Sequence, residues 1–173
     1  HHAEDLDPGS GGPRGLPPPY FGTSSIPHLL VQSGKDGHVF LLNRDNLGGM
    51  AQGPGGTDAV IQKLGPYGGQ WDAPALWPGE GGYVYIDTVP DESAGATEKA
   101  GLPFFKYGKG GLRFFTYGVN GTTGEPELSP AGTSSDESGY GSVSPIGRSN
   151  RPRTGTPPPR GPPRPRPSPR PAP

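Results

Sequence analysis

Four groups of residues in this chain carry side chains that can do chemistry. The first is Asp45-Asn46, inside the run Asn43-Arg44-Asp45-Asn46-Leu47-Gly48-Gly49. Oxygens at such a corner can ligate a cation, but a calcium loop needs several more spaced oxygen ligands than this run offers. Short Asx side chains ahead of glycine also bond the local backbone, so an Asx-type turn is the preferred reading. The second group is His28 and His38, which bracket one pair of apolar runs. A two-histidine metal site lacks a third ligand at any recognisable spacing. The expectation is two imidazoles facing each other across a hairpin without metal.

The third group is the glycine loops Gly53–Asp58 (GPGGTD) and Gly11–Gly15 (GGPRG). Neither holds the Gly-Lys-Ser/Thr of a phosphate loop, and no helical pattern follows to lend its N-terminus, so both read as ordinary loops. The fourth is aromatic: Trp71, Trp77, Tyr83, Tyr85, Phe104, Phe105, Phe114 and Phe115. Such rings can stack on a quinone or a sugar, or they can fill the space between sheets by burying large areas. Packing is the preferred reading. No serine sits in Gly-x-Ser-x-Gly, and no pair of carboxylates is singled out by its context. The absence of cysteine excludes disulfides, thiolate metal sites and cysteine nucleophiles.

The elements that must hold these residues are short strands. Among 173 residues there are 32 Gly and 26 Pro and only 28% are hydrophobic, so burial cannot offset chain entropy along the whole length. A folded middle with disordered ends is expected. His1–Ile26 reads as an extended Gly/Pro-rich arm, with Pro17, Pro18 and Pro19 favouring polyproline geometry and the arm able to lie across a sheet. The start on His1-His2 reads as a fragment boundary, a processed terminus or a tag scar. No apolar run of about 18 residues exists to span a membrane as a helix.

His28–Asn43 predicts an antiparallel hairpin, two β-prone runs joined by Gly34-Lys35-Asp36-Gly37. Its consecutive apolar residues predict strands covered on both faces. Ala59–Leu64, Trp71–Trp77 (interrupted by Pro74) and Tyr83–Val89 predict further strands. A second hairpin is expected from Leu102–Tyr107, a Gly-Lys-Gly-Gly turn and Leu112–Val119, with Asp91–Ala100 a mobile loop before it. The two hairpins share a scheme. Gly34–Gly49 (GKDGHVFLLNRDNLGG) and Gly108–Gly124 (GKGGLRFFTYGVNGTTG) each run from Gly-Lys-x-Gly through an apolar strand to a polar turn ending in glycine, 74 residues apart. That offset suits one repeat unit of about 40–50 residues carrying insertions. No helical periodicity is convincing anywhere. The expected fold class is all-β.

This repeat resembles the pyrroloquinoline-quinone-like β-propeller repeats of the quinoprotein alcohol dehydrogenase superfamily. Asp36, Gly37, Val39, Phe40, Leu41, Leu42, Asn43, Asp45 and Gly48 match in the first copy, and Gly110, Gly111, Leu112, Phe114, Thr123 and Gly124 in the second. Trp71–Ile86 is similar to the opening strands of a blade. The likeness covers Pro27–Ile146, with Gly141–Ile146 like the start of one more blade. It departs where the family places Thr-Gly-Trp: Leu47-Gly48-Gly49-Met50 and Glu125-Pro126-Glu127-Leu128 stand there. The resemblance implies an incomplete propeller of about two blades over residues 27–146, since closure takes about four to eight. It implies missing blades of a longer chain as the natural partner, and an extracellular or cell-envelope bacterial setting. Pyrroloquinoline quinone with calcium is implied only if that longer chain is an enzyme. The family's catalytic Asp, calcium ligands and cofactor-stacking Trp map onto no residue here, so the resemblance implies a fold and a non-catalytic scaffold or binding module.

Residues 147–173 differ in kind, with 11 Pro and 7 Arg and no core-forming side chain. Up to Glu137 the chain carries 8 basic and 16 acidic residues, a net −8, against +7 after Gly147. Pro157-Pro158-Pro159-Arg160 and Arg164-Pro165-Arg166-Pro167 resemble ligands of polyproline-binding domains, and the arginines suit nucleic acid or an acidic surface. The plainer reading is an inert tail, such as a shifted reading frame of GC-rich DNA produces. Three function classes thus stand: scaffold or binding module, piece of a quinone-dependent dehydrogenase, and tail-driven interaction protein.

Overall fold

A computed structural model describes residues 9–18, 20–89, 110–136 and 145 of the chain. Eight strands run in order: β1 (Arg14–Leu16), β2 (Leu29–Ser33), β3 (Val39–Asn43), β4 (Gln62–Leu64), β5 (Ala75–Trp77), β6 (Tyr83–Thr88), β7 (Gly111–Val119) and β8 (Pro126–Thr133). They form two four-stranded antiparallel sheets, β1-β2-β3-β4 and β5-β6-β7-β8, and neither closes on itself. No α-helix occurs among the described residues; a single 3-10 turn covers Pro54–Gly56. No helix among them is long and apolar enough to cross a membrane.

The all-β expectation holds, and the first hairpin falls where the sequence places it, with Leu29 opposite Asn43 and Ser33 opposite Val39. Coverage of both its faces does not hold. Leu29, Val31, Val39 and Leu41 are buried while Leu30, Phe40 and Leu42 are half-buried, so one face meets the core and the other stays partly open. The leading arm is more than an arm. Arg14–Leu16 pairs with β2, and Leu16 and Phe21 enter the core at 1% and 2% exposure.

The second hairpin is also revised. β7 pairs with β6 along Gly111–Thr116 and with β8 along Arg113–Val119, so both of its edges are occupied. Leu102–Tyr107, the partner expected from the sequence, lies outside the described residues. So do Pro19, the loop Asp91–Ala100, the blade start Gly141–Ser144 and the Pro/Arg tail. β8 has no counterpart in the sequence reading. It tolerates Pro126 and Pro130 because it is an edge strand, and Ala131 bulges out where Phe114 faces Gly132 and Phe115 faces Pro130.

The core lies between the sheets. Leu16, Leu29, Val31, Val39 and Leu41 meet Val84, Ile86, Phe115 and Leu128 in one cluster, which Tyr67 and Tyr117 border. Alternation along each strand produces this: Val84, Ile86 and Thr88 face inward, so Tyr83 and Tyr85 face outward. Polar ties fix how the sheets face each other. Arg14 Nε of β1 donates to the Pro74 carbonyl just before β5 (2.9 Å). On the opposite margin the Gln62 carboxamide of β4 grips the β8 backbone, donating to the Leu128 carbonyl (3.1 Å) and accepting from the Leu128 N–H (2.8 Å). First strand therefore lies by first strand and fourth by fourth.

Candidate functional site

The Asp45-Asn46 corner is held by side chains bonding the backbone. Asn43 Oδ1 accepts from the Asp45 N–H (2.9 Å) and Asn46 Oδ1 from the Gly48 N–H (3.0 Å). Asp45 instead reaches His28, with Oδ2 to Nδ1 at 2.7 Å. The corner after β7 uses the same device, Asn120 Oδ1 accepting from the N–H groups of Thr122 and Thr123 (2.9 and 3.0 Å). Both repeat corners are Asx turns.

The two histidines do not face each other. His28 sits beside the Leu29–Asn43 end of the hairpin, whereas His38 sits at the turn and bonds Asp36 (Nδ1 to Oδ2, 3.1 Å). Six residue steps along the hairpin separate them, about 20 Å at strand rise. Each imidazole takes its own carboxylate. Among the described residues no group of three metal-ligating side chains occurs.

The repeat positions take up turns and third strands. Gly37 turns the first hairpin at φ 74°, and Gly48 (φ 79°) lies too close to Ala59 for any side chain. Phe40 and Leu42 stand on the outer face of the first sheet, with Lys63 Nζ 5.5 Å from the Phe40 ring. Gly111 opens β7 and is buried. Thr123 Oγ1 accepts from the Glu125 N–H (3.2 Å), and Gly124 closes its turn at φ 72° through a bond to the Asn120 carbonyl (2.8 Å).

Strand alternation splits the aromatic group in two. Phe115 is a core residue at 1% exposure, packed on Tyr67 with ring centroids 5.6 Å apart. Tyr83, Tyr85 and Phe114 line the outer face of the second sheet, where Trp77 lies opposite Tyr83 and Phe114 opposite Tyr85. The Tyr83 and Tyr85 rings stack at 6.2 Å and 27°, and Tyr85 and Phe114 follow at 6.2 Å and 32°. All four are half-buried. Phe114 lies over bare backbone, since a Cβ on Gly132 would come within 2.6 Å of two of its ring atoms. Packing thus claims Phe115, and a strip of rings, stacked along β6 and tilted across to β7, is left on the far side. Trp71 lies elsewhere, against Gly69; Phe104 and Phe105 lie outside the described residues.

Burial, the Tyr83 hydroxyl and the Glu80 carboxylate, in that order, push the Tyr85 phenol above its ordinary 10.0. Glu80 is therefore within electrostatic reach of the strip, a residue the sequence reading passed over because it sits in a glycine turn. Burial also raises Tyr67, against Arg113, and Tyr117, against its bond to Gly22. All three hold their protons longer folded than unfolded. Below pH 10 both states are protonated; above it the unfolded chain ionises first, and stability is lost as pH rises. Tyrosinate absorbance should show late-ionising phenols, and the melting temperature should begin to fall past pH 10.0. A melting temperature indifferent to alkali would contradict this packing.

One end of the sheet interface is polar. Ser33 Oγ and both carboxamide atoms of Gln70 are buried without hydrogen-bond partners, beside the Gln70 N–H to Gly34 carbonyl bond (3.1 Å). No protein-family model, curated protein or solved structure matches this chain.

Proposed function

We propose that the chain forms two neighbouring blades of a quinoprotein-like β-propeller and serves as a binding module, with the outer aromatic strip of the second sheet, the face a following blade would cover, as the contact surface of this two-blade chain. The observation that carries this reading is the way the sheets repeat. Both are four-stranded meanders, they face each other first strand to first and fourth to fourth, and the repeated motif falls on the third strand of each. A rotation about one axis relates sheets stacked in that sense, which is how blades are generated. The strip supports the binding half of the reading, because stacked rings on an open face offer large contact area at little entropic cost. An extracellular or cell-envelope setting belongs to the same proposal.

Tandem copies of the chain without its Pro/Arg tail test the fold. Propeller blades should close once about four or more are joined. The product should then scatter as a compact ring and melt at a higher temperature than the single copy. Beads on a string with an unchanged melting temperature would mean a self-contained two-sheet sandwich instead.

A further inference from the structure

The strip has a corner shape: the Tyr83 and Tyr85 rings lie 6.2 Å apart along β6, and Phe114 lies 6.2 Å from Tyr85 across on β7. A polyproline helix is a preset, extended rod with three residues per turn. Such helices dock on aromatic-lined surfaces in known peptide recognition, at low entropic cost because the extended form is preset. The chain carries a sequence of that kind. From Pro163 to Pro173 every second residue is proline, with Arg164, Arg166 and Arg170 between.

We propose that the Pro163–Pro173 segment of this chain docks on its own Tyr83–Tyr85–Phe114 strip. The proposal rests on the strip being a contact surface, as proposed above. Charge favours it: the chain up to Glu137 is net −8 and the part after Gly147 is +7. Local charge then chooses between the two open faces. On the second sheet the Glu80 carboxylate lies near Tyr85, where arginine is attracted and can also stack on the rings. On the first sheet Lys63 already lies over Phe40, and a second cation is repelled. The connection reaches. β8 ends at Thr133, one residue past the Gly132 that faces Phe114, and the described chain runs on unbroken to Asp136. The 26 residues from Glu137 to Pro162 are a connection of up to about 90 Å in contour, ample to return to the strip. Docking within one chain therefore proceeds at high effective concentration.

The chain has no cysteine, so Ser168→Cys gives a unique attachment point for a nitroxide on the full-length protein. The expected result is paramagnetic loss of intensity at the Trp77 indole and the amides of Tyr83–Tyr85 and Thr116, with Phe40–Leu42 on the other sheet spared. The loss should vanish in the labelled variant with Arg164, Arg166 and Arg170 changed to Glu, which leaves the folded body untouched. It should weaken in about 1 M salt, where the screening length is about 3 Å. Tyr85→Ala should also abolish it, and the tail variant covers the case in which Tyr85→Ala does not fold. Weak, uniform broadening that ignores the arginine changes overturns the proposal. Broadening that appears only when labelled and isotope-labelled chains are mixed overturns it too, in favour of a second copy's tail. The tandem-copy experiment carries no tail, so its failure is read separately from this one.

Discussion

Phe115→Ala is expected to remove about 3–5 kcal/mol of stability, the usual cost of deleting a buried phenylalanine ring. Few residues in the chain are placed to cost as much. Phe115 is 1% exposed, stands opposite Val84 on one side and Pro130 on the other, and packs its ring on Tyr67. Tyr67 in turn lies under the Arg113 guanidinium, 5.1 Å from its ring centre. The cavity therefore opens where the two sheets meet and where the loop after β4 is anchored. Domains of this size hold about 5–15 kcal/mol in all, so this one ring accounts for a large share of the stability. Urea denaturation followed by Trp fluorescence measures it. A loss under about 1 kcal/mol would mean the sheets are not joined through this ring.

Gly22→Ala is the second large effect, expected at about 3 kcal/mol from backbone strain and overlap together. Gly22 has φ 102°, beyond the reach of ordinary side chains, and a Cβ there would lie 2.5 Å from the Pro27 carbonyl oxygen. The same residue is clamped from the second sheet: its N–H donates to the Tyr117 hydroxyl (2.8 Å), which donates back to its carbonyl (2.9 Å). Phe21 adds an edge-to-face contact with the Tyr117 ring at 5.2 Å. Tyr117→Phe keeps the ring and removes only the two bonds, so it should cost less, about 1–3 kcal/mol. If the two variants melt alike, the strain argument at Gly22 is wrong.

How much of this was visible in the sequence depends on how local the cause was. The His28–Asn43 hairpin was legible because β-prone runs flank a Gly-bounded turn, and such turns fix register by themselves. β1 was not, since Arg-Gly-Leu between glycines and prolines has no alternation of its own; Leu16 becomes a strand residue by entering the core beside β2. β8 was hidden by its prolines, which rule out a central strand and are harmless at an edge. The true partner of β7 was missed because β6 is remote from it along the chain. The aromatic residues were legible as a group but their division was not. Reading Tyr83–Thr88 at period two separates Tyr83 and Tyr85 from Val84 and Ile86, yet nothing local says which set faces the neighbouring sheet.

The grip of Gln62 on Leu128 has a meaning for how chains of this kind meet in a crowded solution. A sheet margin with free N–H groups invites a strand from another molecule, and repetition of that event grows fibrils. Along the first part of β8 the outward donors are disarmed one after another. Pro126 and Pro130 have none to offer, and the Leu128 N–H between them is already taken by the Gln62 carboxamide, which imitates a passing peptide group. Strand-by-strand addition is thereby opposed along Pro126–Pro130 of β8, the longest edge strand among the described residues, which favours contacts through the faces, side chain to side chain.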